Sequence, residues 1–186
     1  MNAICKFYVA HKILPLHPMD LHPDHDRFVK KYNLTEQLSI AQVIIICYSI
    51  LEELKLNIIT KQNENSLILD GTKWNPDVYS RLSDRLAECD LCPDSEIMWL
   101  SRNGIDRPFK SKIIDIDSKC EWSDGELIKD FNIKLTDAIL EVSYMRSKLA
   151  SHNVGDRVTK LCVYDAENAF HLARIILLDY FKIKLI

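Results

Sequence analysis

The sequence predicts an all-α fold, an antiparallel helical bundle, on three observations. Three long stretches carry apolar residues at alternating spacings of three and four, the rhythm that draws one stripe along an α-helix. Only four glycines and six prolines interrupt 186 residues, and few segments alternate polar with apolar, so strands have little pattern to start from. Apolar residues at 47% and charged residues at 27% describe an ordinary soluble globular chain, long enough to bury a core within one domain spanning 1–186.

The formal charge of −3 supplies no global basic field, so any contact with nucleic acid must come from a local patch. No uninterrupted apolar run approaches the roughly 20 residues that span a bilayer. The N-terminus lacks the apolar middle and small-residue cleavage site of a secretory signal. Six cysteines scattered through a helical pattern read as reduced thiols, not a disulfide framework. A cytoplasmic location with no membrane is therefore expected, and no motif asks for a cofactor.

Residues 1–33 are expected to be irregular. Pro15, Pro18 and Pro23 oppose a helix, and His17, His22 and His25 alternate with acidic residues without any recognised ligand spacing. A first core helix is expected over about 34–59. Asn33 and Glu36 form a capping box, and Leu38, Ala41, Ile45, Tyr48, Leu51 and Lys55 trace one face. Glu52 and Glu53 are the polar exceptions near its end. They are solvated or paired with a base, or else a carboxylate buried beside a basic site.

An insertion is expected over about 60–123, with two short helices and an irregular remainder. One helix begins at Asp77; the other follows Pro93 with Ile97, Met98 and Leu100 on its face. Cys89 and Cys92 make a single CxxC pair. A structural zinc site needs four ligands, so a boundary role is the better reading of that pair.

The second core helix is expected over about 124–153. Ser123 and Glu126 make another capping box, and Ile128, Phe131, Leu135, Ala138, Val142, Met145 and Leu149 form the stripe. The next position on that rhythm is His152, with Arg146 on the shoulder six residues earlier. The last helix is expected over about 165–182, capped by Asp165.

Arginine and histidine in this placement suit phosphate chemistry. A guanidinium offers fixed, paired donors to phosphate oxygens, and an imidazole titrates near neutrality and can move protons. Residues six apart lie roughly 120° around a helix, so one helix cannot easily aim both at one point. A symmetric second copy would complete such a site. The bland alternative has His152 ending the stripe and Arg146 pairing with Asp156 or Glu141.

The stretch RSKLASHN, Arg146 to Asn153, resembles the motif of the HEPN superfamily: an arginine, four to six residues, then a histidine near the end of a core helix. The helices around 34–59 and 165–182 resemble that family's other core helices, so about half the chain is covered. The resemblance implies a HEPN-type bundle that dimerises through the motif helix, and metal-independent endoribonuclease activity from a composite site. Arg146 would hold the scissile phosphate and His152 would carry protons. Ser147, Lys148, Asn153 and Arg157 would bind RNA or support the site, with no metal. Serine at 147 departs from the Asn, Asp or His often found after the arginine in active members. Such proteins serve in antiviral defence or toxin–antitoxin systems, so RNA, a second copy, and an antitoxin or larger defence complex are the implied partners. The alternative is a catalytically inactive HEPN module for dimerisation or for nucleotide or RNA binding.

Overall fold

The computed structural model describes residues 2–14, 33–59, 68–69, 73–102, 121–126, 128–150 and 160–182. Within them the fold is mostly helical. It has five α-helices: α1 (Asn2–Ile13), α2 (Leu34–Glu53), α3 (Pro76–Glu88), α4 (Leu135–Tyr144) and α5 (Val163–Tyr180). A π-helical segment, Met145–Ala150, continues α4 directly. Two small antiparallel sheets accompany the helices, β1 (Ile68–Leu69) with β2 (Lys73–Trp74) and β3 (Glu96–Arg102) with β4 (Ile128–Lys134). The all-α expectation therefore holds only in its coarser form.

The helix α2 is the axis of the molecule, packed against α1, α5 and the π segment. Asn33 accepts from the Glu36 N–H at 2.9 Å and Glu36 accepts from the Asn33 N–H at 2.9 Å, which is the capping box read from the sequence. The helix stops at Glu53, short of the expected 59, because Lys55 adopts a left-handed φ of 59°. The Leu56 N–H then reaches back to the Leu51 carbonyl at 2.8 Å and the Leu56 side chain is fully buried, a Schellman-type ending. By length and composition alone α2 could cross a membrane. In this fold Ile40, Val43, Ile44, Cys47, Ile50 and Leu51 are buried, so it serves as a core helix.

The irregular N-terminal segment expected over 1–33 is corrected by α1. Its inner face is Ala3 and Ala10, two turns apart, small enough for close approach to α2 but too small to draw an apolar stripe. Glu53 fixes α1 at its N-terminal end, accepting from the Ala3 N–H at 2.9 Å and pairing with Lys6 at 3.0 Å. Phe7 stacks on Phe170 of α5 with ring centroids 4.4 Å apart. Pro15, Pro18, Pro23 and the histidines at 17, 22 and 25 lie outside the described residues.

The long helix expected from 124 is also corrected. Ser123 and Glu126 do form their bond, the Ser123 N–H donating to Glu126 at 2.9 Å, but around a turn. Gly125 sits there at φ 79°, which no right-handed helix can contain. β4 follows and pairs with β3 from Glu96↔Lys134 to Arg102↔Ile128. The helix expected after Pro93 is thus β3 itself. Its burial has period two: Ile97, Trp99 and Ser101 face the core while Glu96 and Met98 are exposed. The insertion is accordingly part of the core. Helix formation resumes only at Leu135, whose N–H donates to the Ser95 carbonyl at 2.8 Å.

The last helix begins at Val163, two residues earlier than expected. Asp165 is not its cap but its third residue, accepting from the Cys162 N–H at 2.8 Å. Further along α5, the buried Asn168 reaches the backbone of β3.

Candidate functional site

The first half of the expected motif, with Arg146, Ser147 and Lys148, falls on the π segment. Five-residue spacing of backbone bonds there widens the helix, a local feature that recurs at functional positions. Met145, Leu149 and Ala150 turn inward and are buried, while Arg146 and Ser147 are half-buried and Lys148 is exposed. The backbone thus anchors one side and presents three polar side chains on the other.

Arg146 is held by two residues of α2. Its guanidinium lies over the Tyr48 ring, 5.3 Å from the centroid, and one terminal nitrogen is 3.5 Å from Glu52 Oε1. Tyr48 and Glu52 are one helical turn apart on α2, so they reach Arg146 from the same side. The Arg146 and Glu52 side chains are 41% and 42% exposed, so solvent screens their pairing. Ser143, one residue before Tyr144, donates its hydroxyl to Tyr48 Oη at 3.4 Å and ties the ring to α4. The bland alternative named Asp156 or Glu141 as the partner of Arg146. Glu52 takes that place instead, Glu141 is buried, and Asp156 lies outside the described residues.

Ser147 bonds within the turn itself. Its hydroxyl donates back to the Ser143 carbonyl at 2.7 Å, a local bond that supports the widened turn. Lys148 is open to solvent as a backbone contact would be. His152, Asn153 and Arg157 lie outside the described residues. The structure therefore brings Arg146, Ser147 and Lys148 together on one turn and leaves the other half of the motif to the sequence.

Tyr48 is the site residue that sequence reading missed. Its place in the α2 stripe marked it as core, and its stacking partner is on an element about a hundred positions away. Glu52 was visible as an acidic exception on an apolar helix, and its partner was not.

Other titratable groups lie apart from this turn. Burial pushes the Cys47 thiol well above its ordinary range, reinforced by the negative charge of Glu167. Burial raises the Glu167 carboxyl, and burial followed by the nearby Arg174 charge lowers His171. Cys89 is the C-cap of α3 and half-buried, Cys92 is exposed, and both are free thiols. Among the described residues no cluster of three or more His, Cys, Asp or Glu side chains is arranged to hold a metal.

Comparison with family models, with curated proteins and with solved structures finds no match to this chain.

Proposed function

We propose that the chain is a metal-independent endoribonuclease of HEPN type, acting as a homodimer through the motif helix. The observation that carries this reading is the setting of Arg146. It is a partly exposed guanidinium on a π-helical turn, backed by an aromatic ring and flanked by an exposed lysine. A guanidinium placed over the Tyr48 ring, with one terminal nitrogen near Glu52, has further donors to offer phosphate oxygens. In this reading Arg146 stabilises charge on the phosphorus while the RNA's own 2′-hydroxyl attacks. His152, six residues on in the sequence, takes the proton or returns it to the leaving oxygen. Lys148 and Arg157 steady the RNA backbone, and Ser147 and Asn153 bind RNA or support the site. A cytoplasmic role in antiviral defence or a toxin–antitoxin pair, with an antitoxin or larger complex as partner, accompanies this proposal.

The test is cleavage of a mixed pool of labelled RNAs in the presence of EDTA. Wild type is expected to cut, and Arg146→Ala and His152→Ala, each still folded, are expected to lose on the order of 100-fold or more. Cutting that survives both substitutions overturns the site.

One observation favours a second reading, a silent HEPN module that binds RNA or a nucleotide without cutting. The hydroxyl of Ser147, the position that departs from active members, donates to the Ser143 carbonyl. RNA binding without cleavage by wild type under the same conditions would select that reading.

A further inference from the structure

We infer that Glu52 occupies the anion site of Arg146 in the resting protein and must be displaced by an RNA phosphate, so that it sets RNA affinity. This rests on the reading of Arg146 as a phosphate-binding group. Two adjacent glutamates at the end of α2 make the contrast. Glu53 is tied twice, to the Ala3 N–H at 2.9 Å and to Lys6 at 3.0 Å, and it joins α2 to α1. Glu52 makes one ion pair among the described residues, with Arg146, through a single nitrogen at 3.5 Å. Charge-assisted bonds between such groups close to about 2.7–2.9 Å when they are strong. The pairing is also open to solvent, with both side chains about two-fifths exposed. It is a weak, reversible contact.

Removing it should not unseat Arg146, because the guanidinium keeps its place over the Tyr48 ring. The ring is itself fixed by burial, with the Ser143 hydroxyl of α4 in a long contact at 3.4 Å. The carboxylate therefore contributes little to orientation and much to occupancy. It covers the cation that a phosphate would use, and it repels any polyanion that approaches. Both effects oppose RNA binding. The resting contact is long at 3.5 Å, whereas a phosphodiester free to approach can meet the planar fork with both non-bridging oxygens, so RNA can win the exchange.

The experiment is fluorescence anisotropy with a labelled, mixed-sequence 2′-O-methyl RNA of about 20 nucleotides, which lacks the attacking hydroxyl and so reports binding alone. Wild type is compared with Glu52→Gln, Glu52→Ala, Arg146→Ala and the Glu52→Gln/Arg146→Ala double variant. Asp84→Asn, on the exposed side of α3, controls for the lost negative charge. Both Glu52 variants are expected to bind about 5-fold more tightly than wild type. Asp84→Asn is expected to match wild type, and Arg146→Ala to weaken binding at least about 5-fold. The double variant should bind close to Arg146→Ala, because the carboxylate acts mainly by covering that guanidinium and its repulsion of the RNA is screened by solvent. If Arg146→Ala weakens binding while the Glu52 variants bind as wild type or worse, the inference is overturned and the phosphate site stands. If Arg146→Ala binds as wild type, the site reading fails and takes the inference with it.

Discussion

Asn168 of α5 holds the backbone of Leu100 in β3 from both sides of one peptide-like contact. Its side-chain nitrogen donates to the Leu100 carbonyl at 2.9 Å, and its Oδ1 accepts from the Leu100 N–H at 2.9 Å. The amide takes the place of a third strand. It blocks this stretch of the ribbon's free edge and ties the sheet to the helix that flanks α2.

Substituting this amide therefore tests how far the ribbon depends on the helices. Asn168 is 3% exposed, so Asn168→Ala strands one backbone donor and one acceptor in a site with little access to water. The expected loss is about 2–3 kcal/mol, read as a lower midpoint in urea with an unchanged slope. Asn168→Asp keeps the acceptor and loses the donor. It should fall at least as far at neutral pH, because it places a second anion one residue from Glu167. A loss below about 0.5 kcal/mol for Asn168→Ala would mean that water replaces the amide and the edge is open.

How much of this was legible from sequence follows the range of each interaction. The Asn33–Glu36 box is four residues long and formed as read, because nothing outside it is needed. The Ser123–Glu126 pair made the Glu126 carboxylate's bond of its expected box, while the Glu126 N–H went to the Ser123 carbonyl in a turn with Gly125 at a positive φ, a choice that letters alone do not reveal. Ile128, Phe131 and Leu135 fit a helical stripe. What made that stretch a strand was a partner some thirty residues earlier, with Trp99 opposite Phe131. α1 escaped notice because its contacts are two alanines, a lysine and an aromatic stack, not an apolar stripe. In the candidate site Arg146 was visible as a member of a spaced pair, while Tyr48 and Glu52 could be joined to it only by folding.

Two half-buried groups one turn apart on α5 give opposite dependences of stability on pH. His171 is lowered by burial and then by Arg174, so the folded protein prefers the neutral ring. Its contribution is present above the ordinary histidine value of 6.5 and is lost as pH falls through the lowered folded value. Replacing His171 with Gln should flatten that part of the acid limb without changing stability at pH 8. Glu167 is raised by burial, so the folded protein prefers the protonated acid. Glu167→Gln should stabilise the protein modestly at neutral pH, by about 0.5 kcal/mol after solvent screening. That gain should shrink as pH falls below the raised value toward 4.5, where the wild-type acid is already neutral. Thermal melts at pH 4.5, 6 and 8 check both signs, and a Glu167→Gln gain that grows toward acid would contradict the burial argument.

The end of α2 contains a residue in a conformation that its own side chain resists. Lys55 has φ 59°, in the left-handed region where a Cβ crowds the carbonyl. Its place after the last helical turn is the one usually filled by glycine. Arg85 of α3 supports the strained position, donating to the Lys55 carbonyl at 2.8 Å, and Arg81 does the same for Ile59 at 3.1 Å. Lys55→Gly should therefore stabilise the fold, because relief of the left-handed strain outweighs the extra freedom of the unfolded chain. The expected gain is about 0.5–1 kcal/mol. Arg85→Ala should cost about 1 kcal/mol by leaving that carbonyl to water. The two effects share one peptide, so the double variant should lose less than the sum of the separate values predicts, since a relaxed glycine depends less on the arginine. Denaturation midpoints of the four proteins measure that coupling. A Lys55→Gly variant less stable than wild type would show that the lysine stem contributes more through packing than the backbone loses through strain.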